Sequence, residues 1–477
     1  MKVEYLIGDC LGVLKTYPDD HFDSCVTDPP YGLEFMGKEW DKLGLWTKRD
    51  KATADPTGKS SSPFVAAAVE KYVGGKTAQE WHSIWAKEVF RVLKPGAYIL
   101  SFGGTRTHHR MVCALEDVGF EIRDCLMWLY GSGFPKSLDV SKAIDKHFKA
   151  ERKVIGEIET PWKTDNIGKG VSLQSSVQED FTGHNEGGYR TTQVTEPATP
   201  EAEKWNGWGT ALKPAYEPIV LARKPLSGTV AQNVLKHGTG GINVDGCRIR
   251  FASEEDKEGT GRLFQEWHTP PGDGVRHGKM KVLPGLHQND VGRWPSNLLL
   301  DEESAKMLDE QSGESESKLG LRPRTDNNIF GTATGVGELC ELPYNDKGGA
   351  SRFFYIAKAS RSEREKGLKG KPKSFLATMG DGIGIREHND SEPNAHVANF
   401  HPTVKPLELM RYLVRLVTPK DGLCLDPFLG SGTTLLACRL EGFNGLGIEK
   451  ESDYEPIIKE RLAYIPPPLD SFGEVSA

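Results

Sequence analysis

The chain has 477 residues, with 37% hydrophobic and 27% charged side chains, which is the composition of a folded, water-soluble protein of more than one compact unit. No run approaches the length of a membrane span, and the start MKVEYLIGDC lacks the basic and apolar stretches of a signal peptide. The net charge of −7 speaks weakly against a polyanionic partner, but residues 351–375 carry eight basic side chains against two acidic ones, so the global sign decides little.

Glycine (53) and proline (29) exceed the roughly 12% of average usage and are expected in long loops around an ordinary core. The eight cysteines never form a CxxC pair and several sit in apolar runs, such as Cys25 and Cys424. They read as reduced, buried thiols of a cytoplasmic protein without structural zinc.

In chain order, VEYLIG (3–8) and DSCVTD (23–28) are short apolar runs, separated by a helical CLGVLKTY that Asp9 can cap. The spacing of Trp81, Ile84, Trp85 and Val89 predicts a helix over 78–93, stopped by Pro95-Gly96. AYILSF (97–102) reads as a buried strand, THHRMVCALEDVG as a second helix and FEIRDCLMWLY (120–130) as a long strand. This alternation implies a parallel sheet covered on both faces. Residues 150–215 are polar and acidic and read as an insertion or loop, and EPIVLARK within 216–224 as a strand returning beside 120–130. Residues 225–400 mix short apolar runs with Gly/Pro-rich connections. From 401 the α/β rhythm resumes: a helix over 406–418, the strand GLCLD, a helix from SGTTLLACRLEG, the strand FNGLGIE and a last helix. The expected architecture is one doubly wound, mostly parallel Rossmann-like α/β sheet built from residues 1–149 and 401–477, with the centre inserted.

Two segments carry chemistry. LDPFLGSGTT (425–434) lies between a strand and a helix, where Gly430 and Gly432 let the backbone turn sharply and approach a ligand. Glu449 ends the next strand, 23 residues after Asp426, where a carboxylate can accept hydrogen bonds from a ribose. No Lys follows the glycines as a P-loop requires, and Leu435 stands where a dinucleotide fingerprint needs a small residue. What remains suits an adenosine ligand without a pyrophosphate, a description that S-adenosylmethionine meets.

The second segment is Asp28-Pro29-Pro30-Tyr31, placed directly after a strand, at the end where doubly wound sheets bind ligands. Consecutive prolines fix the backbone and offer carbonyls, and Tyr31 offers a face for a flat base. An exocyclic amine is a poor nucleophile because its lone pair is delocalised into the ring. Hydrogen bonds to the Asp28 carboxylate and the Pro29 carbonyl would favour rehybridisation and stabilise the charge that develops on nitrogen.

Together these motifs resemble the amino-methylating DNA methyltransferases, which make N6-methyladenine or N4-methylcytosine. DPPY looks like their catalytic motif, DPFLGSGTT like their cofactor motif and HPTVKP (401–406) like the segment before the cofactor strand. The order, catalytic motif first, matches the permuted beta class, whose central region holds the target-recognition domain, here expected within 225–400. WGTALKPAYEPIVLARKP and GRWPSNLLLD resemble phage and prophage members. By resemblance, Asp28, Pro29, Pro30 and Tyr31 hold the target base. Asp426, Pro427, Phe428, Gly430, Gly432, Thr433 and Glu449 form the cofactor site, Thr403 and Lys405 meet the methionine carboxylate, and Asp9 meets the adenine amino group or merely caps its helix. DPPY rather than SPPY tilts the target towards adenine N6 in double-stranded DNA, with N4 of cytosine as the alternative and a catalytically inactive DNA-binding homologue as a different one. RNA or protein-amide methylation fits the large central insertion less well. A homodimer is expected from the class. No metal is expected: adjacent His108 and His109 point to different sides of a helix. The basic run 358–373 holds phosphates or links domains, and Trp205, Trp208 and Trp294 reach bases or pack.

Overall fold

A computed structural model describes residues 2–31, 46–47, 71–72, 76–131, 133, 137–161, 181–184, 189–251, 256, 263–268, 277–282, 292–316, 321–322, 340–341, 347–357 and 404–463. The chain divides into two compact units, Met1–Gly241 with Ala359–Ala477, and Ile242–Lys358.

The first unit is built on seven strands: β1 (Val3–Ile7), β2 (Phe22–Thr27), β3 (Leu93–Phe102), β4 (Glu121–Leu129), β5 (Tyr216–Arg223), β6 (Leu423–Asp426) and β7 (Asn444–Glu449). Their spatial order is β1-β7-β6-β2-β3-β5-β4. From β1 to β3 every pair is parallel, whereas β5 runs antiparallel to both β3 and β4. The sheet is thus mostly parallel, as expected, with β5 antiparallel to its two neighbours. The physical reason is connectivity: β5 returns from a long excursion after β4 and fills the gap between β3 and β4. The two ends of the chain meet where β6 lies beside β2, with Cys424 opposite Ser24 and Leu425 opposite Cys25. That junction is a switch point, because the chain winds outward from it in both directions, and such points are where α/β sheets form ligand crevices.

Helices α1 (Cys10–Leu14), α2 (Lys76–Val92), α3 (His108–Asp117), α4 (Leu407–Val417), α5 (Thr433–Glu441) and α6 (Glu455–Ala463) flank these strands. On α2, Ala78, His82, Trp85, Val89 and Val92 are buried at helical spacing. Trp85, Val89 and Val92 join Leu14, Phe22, Cys25, Ile99, Met111, Leu115 and Leu425 in one core. On α4 Leu407, Met410, Leu413, Val414 and Val417 are buried at helical spacing, but so are Leu409, Tyr412 and Leu416, so that helix is covered nearly all round. The cysteines Cys25, Cys247, Cys424 and Cys438 are buried free thiols.

Two expectations change. Within 150–215, Lys153–Pro161 and Tyr189–Glu196 pair as antiparallel strands, joined by Phe181–His184. Polar, Thr-rich sequence hides a strand because the ladder satisfies backbone groups without an apolar face, and Ile155 and Ile158 stay exposed. Residues 225–241, assigned by sequence to the central region, belong to the first unit. Asn233, fully buried on the helix Val230–His237, donates to the Pro95 carbonyl at 2.9 Å and the Thr239 carbonyl at 2.8 Å and so ties that segment to β3. In the second unit, Leu298–Asp301 leads into the helix Glu302–Ser312, capped by Asp301, and pairs in parallel with Tyr355–Ala357. The Arg293 guanidinium, bonded to buried Asp256, lies about 5 Å from the rings of Phe251 and Phe353.

Candidate active site

The glycine loop follows β6. Gly430 and Gly432 have φ of 57° and 82°, a region in which a side chain would be strained. Gly432 caps α5 in this conformation. The Gly430 amide donates to Glu449 Oε2 at 2.7 Å, and the Glu451 amide to Oε1 at 2.8 Å. Burial pushes the Glu449 carboxyl up to about 7, against the pull of those two amides. Asp426 is buried more completely, and Pro427 is buried beside it. Its Oδ1 accepts from Thr27 Oγ1 at 2.7 Å and from the Phe428 amide at 3.1 Å, and its Oδ2 from Thr434 Oγ1 at 2.5 Å. Burial raises it to about 6. Asp426 therefore braces the loop against β2. The Phe428 ring lies 5.9 Å from Trp81 and 5.4 Å from Trp85. Asp9 caps α1, accepting from the Leu11 amide at 2.9 Å, and the next-door Gly8 amide bonds the Glu449 carbonyl at 2.8 Å.

Behind the loop stands a residue that no motif contains. Arg461 on α6 has no exposed surface. Its Nη1 donates to the Ser431 carbonyl at 2.9 Å, to Ser431 Oγ at 2.7 Å and to Thr433 Oγ1 at 2.8 Å. Thr433 thus faces this arginine.

One strand away, Asp28 leaves β2 at the same edge. Its Oδ1 accepts from Tyr31 Oη at 2.8 Å and its Oδ2 from Lys405 Nζ at 2.5 Å. The Tyr31 carbonyl accepts from Thr107 Oγ1 at 2.8 Å, which pins the end of the tetrapeptide to the loop after β3. Gly104 packs closely there: a Cβ would lie 3.1 Å from Tyr31 Cδ2, a tight contact. A second carboxylate, Glu217 of β5, has Oε2 3.3 Å from Tyr31 Oη and 3.4 Å from Lys405 Nζ. The Lys405 ammonium also sits 4.9 Å from the Phe102 ring centre and 5.5 Å from that of Tyr31. Burial pulls its pKa down, but Asp28 and Glu217 outweigh it and hold the ammonium above its ordinary range. Burial, with the charges of Asp28 and Glu217, keeps the Tyr31 hydroxyl protonated well past its usual pKa. Burial also raises Glu217, with Lys405 opposing.

The fold thus brings together all the expected catalytic residues and, beside them, the expected loop residues. Lys405, expected to face the cofactor's carboxylate, has its ammonium between two protein carboxylates. Thr403 and the basic run 358–373 lie outside the described residues. Trp205 and Trp208 stack edge to face at 5.1 Å and are 40% and 60% exposed, and Trp294 is 64% exposed beside Arg248, so none of the three is a core residue. Among the described residues no cluster of His, Cys, Asp and Glu could hold a metal ion, and no helix is long and apolar enough to cross a membrane.

A glycine loop and a strand-end carboxylate beside an Asp-Pro-Pro-Tyr turn, at the switch point of a mostly parallel sheet, define an S-adenosylmethionine-dependent methyltransferase. A family profile described as DNA methylase, of the N6/N4 type, matches residues 22–460. The chain belongs to this family and has S-adenosylmethionine as its cofactor. It is 22% identical over 467 residues to the type II methyltransferase M.HindIII of Haemophilus influenzae, covering 95% of this chain and 93% of the relative. A shorter stretch of 69 residues, 14% of this chain and 25% of the relative, is 46% identical to the type II methyltransferase M2.MboI of Moraxella bovis. Among solved structures, the cytosine-N4-specific PvuII DNA methyltransferase aligns over 97% of this chain and 86% of its own, at 12% identity and a TM-score of 0.40.

Proposed function

We propose that this DNA methyltransferase acts on the exocyclic N6 of adenine, in a base flipped out of double-stranded DNA. The observation that carries the reading is the Asp28 carboxylate, fixed at the end of β2 by Tyr31 and Lys405 and one strand from the glycine loop. With Asp rather than Ser at the head of the tetrapeptide, the resemblance favours adenine.

The cofactor supplies a methyl group on a sulfonium centre. The chain's part is to hold and orient both reactants. Glu449, a buried carboxylate that accepts from the Gly430 and Glu451 amides among the described residues, has the chemistry to accept ribose hydroxyls, so the site fits the cofactor's adenosine. Gly430 and Gly432 allow close approach, and Phe428 presents an aromatic wall. Asp9, at the end of β1, is assigned to the adenine amino group beside its capping of α1. Asp28 and the Pro29 carbonyl accept the N–H groups of the target amine, and Tyr31 stacks on the base. Lys405 holds the Asp28 carboxylate in place. Flipping the base costs a few kcal/mol, which pocket contacts return. The unit Ile242–Lys358 is assigned to target recognition, with exposed Trp294 among its candidates for contact with DNA.

Expression in a host free of DNA methylation, followed by mapping of modified bases, tests the reading. N6-methyladenine at a defined site supports it, and N4-methylcytosine overturns the choice of base. The Asp28→Ala protein should leave the same DNA unmodified.

A further inference from the structure

The site contains a carboxylate that the methyl-transfer motifs leave out. Because β5 runs antiparallel to β3, its first residues lie at the edge where β2 and β6 end. Glu217 enters there, and the Tyr31 hydroxyl stands between two carboxylates, 2.8 Å from Asp28 Oδ1 and 3.3 Å from Glu217 Oε2. The side chains of Asp28 and Glu217 keep 20% and 23% of their exposure, against 9% for Lys405, so both acids remain within reach of substrate or water.

Charge explains why the second acid matters. As the target nitrogen takes the methyl group it becomes cationic, and it gives up a proton in the same step. Asp28 is the nearest base, yet both its oxygens are engaged, Oδ2 by the Lys405 ammonium at 2.5 Å and Oδ1 by the Tyr31 hydroxyl at 2.8 Å. Glu217 lies further from that ammonium, at 3.4 Å. We infer that Glu217 is the terminal proton acceptor of the site, reached from Asp28 through the Tyr31 hydroxyl. The step balances without a further reactant. The nitrogen lone pair forms the N–C bond while the methyl C–S bond breaks and leaves its electron pair on sulfur. The surplus proton passes from nitrogen to Asp28. Asp28 then hands a proton to Tyr31 Oη as Tyr31 releases its own to Glu217, and Glu217 discharges it to water. Glu217 acts through Tyr31 and Asp28, so it is a positioning and relay residue and does not touch the reacting atoms. The inference rests on the placement of the target amine at Asp28.

Among the described residues, the charged and titratable groups facing Glu217 are Asp28 and Tyr31 after β2, Lys405 before α4 and Tyr130 after β4. The test is single-turnover methyl transfer to DNA from about pH 5.5 to about pH 9, for the parent, Glu217→Gln and Glu217→Asp, with cofactor affinity measured by calorimetry. Glu217→Gln keeps an acceptor for Tyr31 but cannot take the proton. Its transfer rate should fall about 10²-fold near neutral pH, climb with added small carboxylates or imidazole, and keep the parent's cofactor affinity. Glu217→Asp should recover part of the rate. A parental rate and pH profile in Glu217→Gln overturns the relay, and so does a loss of rate that tracks a loss of cofactor affinity and is insensitive to added base. The two readings fail separately: an active Asp28→Ala protein removes the placement of the amine, whereas an inactive Asp28→Ala with an unimpaired Glu217→Gln removes the relay alone.

Discussion

Lys405 Nζ lies 2.5 Å from Asp28 Oδ2, across 377 residues of chain. This ion pair joins the segment before α4 to the Asp-Pro-Pro-Tyr tetrapeptide and couples the two halves of the sheet at the switch point. Lys405 is 9% exposed and Asp28 20%, so the pair is partly desolvated, and removing one partner strands the other.

Asp28→Ala removes the proposed acceptor of the target amine and leaves the glycine loop intact. Methyl transfer should fall by at least about 10²–10³-fold, the effect of losing one preorganised electrostatic group, with cofactor affinity unchanged. Filter-binding of labelled cofactor beside labelled methyl transfer separates the two.

Lys405→Met takes away the cation that opposes burial at Glu217 and pairs with Asp28. Carboxyl pKa values rise when such a partner is lost, so the acidic limb of the pH–rate profile should move to higher pH. An unmoved limb would show that the lysine does not govern ionisation of the site.

Glu449 titrates at about 7 in the folded chain, above its ordinary value of 4.5. A raised carboxyl contributes stability that is present below the unfolded pKa and is lost as pH rises through the folded one. From this group the unliganded protein should lose thermal stability between about pH 4.5 and about pH 7, while cofactor binding, on the proposal that Glu449 meets the ribose as a carboxylate, strengthens over the same window. Asp426, at about 6, adds to the stability trend in the same direction. Thermal shifts with and without cofactor across that range measure both.

Arg461→Leu leaves the Ser431 carbonyl and the hydroxyls of Ser431 and Thr433 without their guanidinium donor. Each buried polar group so deprived costs about 1–3 kcal/mol, and the loop they belong to carries Gly430 and Gly432. Cofactor affinity should weaken together with Tm, with the affinity loss largely removed by Arg461→Lys. Calorimetric binding and thermal unfolding of the two variants check this.

The sequence by itself determined the local chemistry. Asp28-Pro29-Pro30-Tyr31 and Phe428-Leu429-Gly430-Ser431-Gly432 are contiguous, and their meaning lies in residue types at fixed spacing after apolar runs. The strands around them were legible because parallel, buried strands read as unbroken apolar stretches. The alternation of apolar runs and amphipathic helices was enough for an α/β sheet drawn from both ends of the chain. The pairing strands in 150–215 were not legible, since a polar ladder leaves no periodic apolar face. Nor was the boundary at Gly241, which depends on Asn233 reaching Pro95.

Glu217 and Arg461 show most plainly what the tertiary structure decided. EPIVLARK identifies a strand but not its direction, and only the antiparallel insertion of β5 between β3 and β4 turns Glu217 towards Tyr31 and Lys405. Arg461 looks like any basic residue of a last helix until α6 packs it, fully buried, behind the glycine loop. Lys405 was legible as part of a motif, but its engagement with two carboxylates was not. A side chain's charge is written in the sequence; which charges share a buried volume is set by strand order and direction, and that is what fixes the electrostatics of this site.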